Sequence, residues 1–544
     1  MILCWEKISL SVHGILTFSS ETRSWRDNVG NSNEPIGDKV ITASIKVLDE
    51  CLRAISGFKG TEDLSSDISL DSPFTSDYVK LKTISSAPSY GPHDCAVNSD
   101  GAEKLSGSEQ WLEALVRHFP LILHHSSPMV RAASVTCFAG ITSTVFFSLP
   151  KDKQDFILSS CVKTAKNDQV PNVRSAACRA IGVIACFSHI FQSAEIFDKF
   201  ISPAVDNSHD SSVSVRITAS WALANICDAL RRHVDVHGFE KFSSVSSQSI
   251  SLLIDCALQL TNDNDKVKAN AVRALGNLSR VVRFSSQSFA YDGQADSAVA
   301  SSGGKPAKGL PICEDLGESR SQRNAPLENF KWLEKMVQAF ISCVTTGNVK
   351  VQWNVCYSLS NLFSNPTLKL ENMVWASSVF SILLLLLRDS SNFKIRIQAA
   401  AALAVPATLN DYGRSFFSVL QGVQHVVESL SSDEISSPSN LKYRLALEKQ
   451  LTSTMLHLLG LTSKTDDRHV HEFLMKKSSF FEEWFKLVYM SLEKSPSQFE
   501  AEYFSSVNHK KDIIFRAVRS LIVVYEAHDL HAVVQRFHKL SNIL

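Results

Sequence analysis

Three asparagines, Asn225, Asn277 and Asn361, share one position of a recurring segment, and each follows a large side chain by four residues: Trp221, Arg273 or Tyr357. A carboxamide offers two N–H donors and an acceptor, so a row of them can stand in for a strand partner and hold the backbone of an extended peptide. The side chain four residues earlier lies one helical turn away on the same face. Arg179 holds the equivalent place in the preceding copy. With Arg273 it favours an acidic occupant. The same residues also have a structural use. Asparagine near a helix end can satisfy carbonyls of the neighbouring unit, and Trp221 can be ordinary packing between units.

Catalytic chemistry finds no comparable set. Gly303-Gly304-Lys305-Pro306 has the glycines and lysine of a phosphate loop, but proline stands where the hydroxyl belongs and the stretch is low in complexity. His469 and His471 are two apart, so their rings diverge on a helix, and no HExxH accompanies Glu472. His124-His125 closes a helix, where imidazole can bond free carbonyls. Of the twelve cysteines the nearest two, Cys178 and Cys186, are eight residues apart, and there is no CxxC. That spacing offers neither a zinc knuckle nor a redox dithiol, and it suits a reduced, intracellular protein. A G-x-S-x-G elbow and paired carboxylates are missing as well. The expectation is no enzyme, no metal, no cofactor and no small-molecule substrate.

The binding candidates are positioned by a twelve-residue pattern that recurs six times, starting at Val130, Val173, Val215, Val267, Val351 and Ile395. The starts are 43, 42, 52, 84 and 44 residues apart, and about 42 is the size of one helical repeat unit. The long interval contains a Ser/Gly/Pro-rich stretch, at about 285–326, whose removal restores the normal spacing. The first, fifth, ninth and twelfth positions are apolar or small, which is a helical stripe. Alanine at the fifth and eighth positions lets helices approach closely.

A first amphipathic helix is expected before most copies, at 110–124, 152–166, 249–260, 330–345 and 373–388. In the turn between the helices, Asp168 is placed to cap and Pro171 to start the second one, with weaker versions at Ser127-Pro128 and at Asp210 to Arg216. Arg131, Arg174, Arg216, Lys268 and Arg396 recur at the second position and are expected to stack with turn aspartates such as Asp168 and Asp210. The fourth, seventh and eleventh positions form a separate face. The seventh carries Thr136, Arg179, Trp221, Arg273, Tyr357 and Ala401; the eleventh carries Gly140, Val183, Asn225, Asn277, Asn361 and Val405.

The D-x-x-P-x-V-R turn resembles the HEAT repeat, and the A-x-x-A-L-x-N-L ending resembles the last helix of an armadillo repeat. The resemblance implies an all-α protein, an α-solenoid (superhelix) of HEAT/armadillo-type helical repeats. It also implies that the final helix of each unit lines the concave surface and that no reaction is catalysed. Over a wider span, ISGFKGTEDL at 55–64 and SPMVRAASVTCFAGI at 127–141 resemble the C-terminal half of the HEAT repeat-containing protein six family in a plant-like form. Trp221-x-x-x-Asn225 resembles the spacing of peptide-binding armadillo proteins such as importin-α. By that likeness Asn225 would bond a peptide backbone and Trp221 would pack on a side-chain stem.

Composition sets the remaining bounds. Hydrophobic residues are 44% of the 544 and charged residues 20%, with 16 prolines and 21 glycines, which favours long helices. Lys+Arg and Asp+Glu balance at 55 each, which disfavours a nucleic-acid partner. The longest apolar run, 379–387, is too short to span a bilayer. Glu6 and Lys7 interrupt the apolar N-terminus, which does not read as a signal peptide, and its abrupt start suggests the remnant of a longer array. The expected organisation is an N-terminal helical segment at 1–58 and a disordered linker at 59–108. A repeat array follows at 109–430, then a short joint at 431–440 and a C-terminal helical cap at 441–544.

These readings predict an intracellular, cytoplasmic or nuclear scaffold or adaptor that binds other proteins, with an extended acidic segment as the occupant of its groove. One alternative is a karyopherin-like carrier, whose basic cargo would want an acidic groove. Another is a regulatory subunit that docks partners through its loops, with Ser72-Pro73 or the insert as the contact.

Overall fold

The computed structural model describes residues 4–26, 37–58, 107–187, 190, 194–237, 247–284, 321–432, 438–465, 467–493 and 500–543. The expected linker at 59–108, all but its last two residues, and the expected insert up to residue 320 lie outside the described residues, as do Ser72-Pro73 and the Gly303-Gly304-Lys305 stretch. Among the described residues there are helices and no strands.

The chain begins with α1 (Trp5–Arg26), α2 (Asp38–Ile55) and α3 (Ser108–Arg117), followed by α4 (Pro128–Phe138). Helical pairs come next: α5 (Lys151–Asn167) with α6 (Pro171–Ile184), α7 (Ala194–Ser208) with α8 (Val213–His237), and α9 (Ser247–Leu260) with α10 (Asp265–Val281). Three more are α11 (Ser321–Thr346) with α12 (Val349–Phe363), α13 (Ala376–Asp389) with α14 (Phe393–Leu403), and α15 (Phe416–Ser432) with α16 (Pro438–Leu461). Then come α17 (Arg468–Lys476), α18 (Ser478–Glu493), α19 (Glu500–Glu526) and α20 (His531–Ile543).

The second helices form one continuous stack. In order, α2, α4, α6, α8, α10, α12, α14, α16 and α19 each pack on the next. The first helices α5, α7, α9, α11, α13 and α15 lie against the second helices of their own pairs and touch one another less closely. A stack drawn tighter on one side curves toward that side, so the second helices form the inner row of a superhelix.

The apolar stripe explains the stack. Its four positions are buried in every copy of the pattern, from Val130, Ser134, Phe138 and Ile141 to Ile395, Ala399, Leu403 and Pro406. Small residues set the spacing. A Cβ on Gly276 of α10 would stand 2.3 Å from Ser358 Oγ and 2.6 Å from its Cα on α12. One on Gly182 of α6 would stand 2.9 Å from the Cα of Ala222 on α8. Glycine is required there because the backbones touch.

The turns carry an arginine–aspartate ladder. Arg131 Nε donates to Asp168 Oδ2 of the next repeat at 2.7 Å and Nη2 to Oδ1 at 3.0 Å, while Nη1 reaches back to the carbonyls of His125 and Ser126. Arg174 does the same with Asp210 and the carbonyls of Asp168 and Gln169, and Arg216 with Asp263 and those of Asp210 and Ser211. Each guanidinium therefore joins its own turn to the following one. Burial disfavours the charged form of Asp168, but bonds from Arg131 and the Val170 N–H outweigh it and hold the carboxyl below its usual range. At Asp263 the bond from Arg216 is the largest influence in the same direction. Asp168 is not the cap of α6: that position is Val170, and Asp168 accepts the Val170 N–H from two residues earlier. Pro171 starts the helix as expected. The last of these three rungs, Arg216 to Asp263, lies just before α10, and Arg396 of α14 donates to the Leu387 carbonyl at 2.8 Å.

Nine of the ten cysteines in the described residues are buried, most of them spread through α4 to α12. Burial pushes the thiols of Cys178 and Cys356 up to about 12 and those of Cys186 and Cys256 up to about 11. No helix of the described residues is long and apolar enough to cross a membrane.

Candidate partner-binding surface

The inner row brings all seven candidate residues onto four successive helices, α6, α8, α10 and α12. Asn225 of α8 is 1% exposed. Its Nδ2 donates to the Gly182 carbonyl of α6 at 3.0 Å, and its Oδ1 accepts from Arg273 Nη2 of α10 at 2.6 Å. Asn277 is fully buried, and its Oδ1 accepts from Tyr357 Oη at 3.0 Å and from Asn361 Nδ2 at 3.5 Å, both on α12. Tyr357 stacks on Trp353 with ring centroids 6.3 Å apart and planes 6° apart. The asparagine amides are directed at neighbouring repeats, which is the structural use of these residues.

Arg179 and Trp221 are placed differently. The Arg179 side chain is only half-buried, and its Cζ lies 5.2 Å from the centroid of the Trp221 ring. Trp221 rests where Gly182 leaves room for it, since a Cβ there would be 2.6 Å from Cζ3. Desolvation and the nearby Arg53 draw the Arg179 guanidinium below its ordinary value. No carboxylate among the described residues pairs with it.

Charge is concentrated around this row. Buried Asp228 bonds Arg231 at 3.0 Å and pairs with Arg232 at 3.5 Å. Burial works against its ionisation, but Arg232, Arg231 and Arg273 together keep it charged, so its carboxyl titrates below the usual value. Asp235 bridges Arg231 at 2.9 Å and Arg280 of α10 at 2.8 Å. The D-x-x-R-R-x-x-D run from Asp228 to Asp235 signals this network in the sequence, though the motif reading passed over it. Arg273 itself is 4% exposed, and desolvation draws its guanidinium down against the pull of Asp228. Desolvation also draws down Lys350, with Arg273 and Lys266 adding to the effect.

The sequence reading also missed a set of inter-repeat stitches at the fourth position. Asn270 Nδ2 reaches the Ile217 carbonyl and Ser220 Oγ at 3.3 and 3.1 Å, and Asn354 Nδ2 reaches the Ala269 carbonyl at 2.7 Å. Ser358 adds a bond to the Val272 carbonyl at 2.8 Å. Asparagine recurring at that position in two consecutive copies was the available signal.

The histidines singled out by the sequence have local partners. His469 lies 6.0 Å from the Phe417 ring, and His471 sits between the Thr465 carbonyl at 3.0 Å and His528 Nε2 at 2.9 Å. His125 Nδ1 accepts the Ser127 N–H. Among the described residues no three potential metal ligands converge.

A curved stack of paired helices with a continuous inner row and arginine-locked turns defines a helical-repeat solenoid of the HEAT and armadillo type. Residues 157–185 match the HEAT repeat family, and they run from within α5 through α6, across the Asp168–Arg174 turn. A putative uncharacterized protein of Dictyostelium discoideum is 26% identical over 440 residues, a match covering 67% of this chain and 28% of that relative. The chain thus spans little more than a quarter of the relative's length. Among solved structures, an engineered protein aligns over 98% of both chains at 14% identity with a TM-score of 0.44. A designed armadillo repeat protein aligns over 55% of this chain and 99% of its own at 16% identity, with a TM-score of 0.33.

Proposed function

We propose that this protein is a non-enzymatic intracellular scaffold or adaptor that holds an extended acidic segment of a partner protein on the inner face of its solenoid. The observation that carries the reading is Arg179, half-exposed, stacked on Trp221 and unmatched by any carboxylate of the described residues. A cation held against an aromatic ring with no counter-charge is built to receive one. The likeness to the C-terminal half of the HEAT repeat-containing protein six family fits this role. The seven inner-row residues divide the work: Asn225, Asn277, Asn361, Arg273 and Tyr357 set the spacing of the row, and Arg179 and Trp221 meet the partner. A karyopherin-like carrier of basic signals would want carboxylates where Arg179 stands. Docking through the loops places its contacts outside the described residues.

The test is affinity capture from native lysate with wild type beside Arg179→Glu, after matched thermal melts. The expected outcome is a set of partners lost from the variant, sharing acidic segments that bind the purified wild type. An unchanged partner list would move the binding site away from the inner face. Gain of basic-peptide binding by Arg179→Glu, with none bound by wild type, would support the inner face as the binding site.

A further inference from the structure

The second half of the array replaces one turn chemistry with another. Three successive inner helices open with the same four-residue phrase: Asn264-Asp-Lys266-Val267, Asn348-Val-Lys350-Val351 and Asn392-Phe-Lys394-Ile395. In each, the asparagine side chain caps the helix by accepting from the lysine's own backbone N–H, at 3.1, 3.0 and 3.0 Å. The earlier copies place Met129, Asn172 and Ser214 where these lysines stand.

All three lysine side chains are exposed, and none forms an ion pair with a described residue. The aspartates of their turns do not supply the charge. Asp263 is taken by Arg216 and Asp389 by Arg388, and Asp265 makes no ion pair among the described residues. The ammonium of Lys394 lies 5.6 Å from the Tyr443 ring on α16, and Lys350 is held below its ordinary value by desolvation, Arg273 and Lys266. A lysine in the first turn of a helix also faces the positive end of that helix's dipole. Three such cations at one register, on helices stacked in sequence, make a stripe that no carboxylate of the described residues pairs with.

We propose that Lys266, Lys350 and Lys394 form a docking track for an extended acidic polypeptide running across α10, α12 and α14, with one carboxylate received per repeat. The track rests on the scaffold reading above and gives it a second contact region and a spacing. Packed helices stand about 8–10 Å apart and an extended chain rises about 3.3 Å per residue, so the matching acidic residues recur at about every third position. A nucleic acid fits less well: the chain as a whole carries no net positive charge.

The experiment titrates full-length protein, by fluorescence anisotropy, with a labelled peptide bearing glutamate at every third residue. Three controls go beside it: the same composition with the glutamates contiguous, the lysine counterpart, and a single-stranded DNA. The variants are Lys266→Glu/Lys350→Glu/Lys394→Glu and, separately, Arg179→Glu. The triple variant keeps every Asn cap and places carboxylates where a helix dipole favours them, so its melting temperature should hold or rise.

The track predicts binding of the spaced acidic peptide that weakens about tenfold or more in the triple variant and falls with added salt. Equal affinity of the triple variant and wild type overturns the track. If Arg179→Glu alone then loses the peptide, the inner-face scaffold reading survives that result. Absence of any acidic-peptide binding overturns the track, and the capture experiment above decides the scaffold reading on its own. Tighter binding of the DNA, lost in the triple variant, overturns the polypeptide partner in favour of a nucleic acid.

Discussion

At the scale of the residue, the inner row shows how one side chain can look like a binding group and serve as a brace. Asn225 was legible as part of an amide series, because its spacing from Trp221 places both on one helical face. Its direction was not legible. Whether an amide at that position meets solvent or the next helix depends on how closely the helices stack, and that is set by residues elsewhere, such as Gly182 and Gly276. Asn225→Ala removes the bond to the Gly182 carbonyl and takes from buried Arg273 an acceptor at 2.6 Å. The expected cost is about 2–3 kcal/mol, read as a lower midpoint in urea. A double-mutant cycle with Arg273→Ala should show coupling of about 1 kcal/mol or more; strictly additive effects would mean that the two side chains do not support each other.

At the scale of the element, the helices that carry the twelve-residue pattern could be read directly, while those at either end could be read only as helices. None of α2, α16 and α19 opens on Val-Arg, yet all three continue the inner row. They are joined by individual bonds instead of a shared phrase: Thr454 of α16 bonds the Ala400 carbonyl at 2.9 Å, and Ser520 of α19 bonds the Gly460 carbonyl at 3.1 Å. A stripe of leucines says that a helix is buried but not against which neighbour. Close approach makes its own prediction. Gly276→Ala inserts a methyl group where Ser358 backbone and side chain already stand, and should cost about 1–3 kcal/mol by forcing α10 and α12 apart. Adding Ser358→Gly should recover part of the loss in the same melt; no recovery would mean that this contact does not set the spacing.

At the scale of the whole molecule, the arginine–aspartate ladder and the lysine stripe divide the array at α10. The division has a consequence in acid. The carboxyls of Asp168 and Asp263 titrate below their ordinary value of 3.8 in the folded chain. Groups depressed in this way contribute stability that is fully present above the unfolded value and lost as pH falls through the folded one. Below about pH 4, hydrogen exchange should therefore quicken in α4 to α10 before it does in α12 to α16. Asp168→Asn, which lacks that titration, should show a shallower acid loss with a lower starting stability. Simultaneous exchange throughout the solenoid would mean that the ladder contributes little to the stability of its own half. The balanced total of charges gave no hint of this division, because it arises from which charges are paired and not from how many there are.

The buried thiols have an implication of a chemical kind. Cys137, Cys178, Cys227 and Cys356 sit on α4, α6, α8 and α12, sealed from solvent and poor in thiolate. An alkylating or oxidising agent can reach each of them only while its own repeat stands open, and an adduct formed then is too large for the cavity it came from. Each repeat that holds such a cysteine thus carries an internal fuse, and a momentary opening becomes permanent once the sulfur has reacted. Damage to such a protein would accumulate repeat by repeat as a record of past openings, preserved after the stress that caused them had gone.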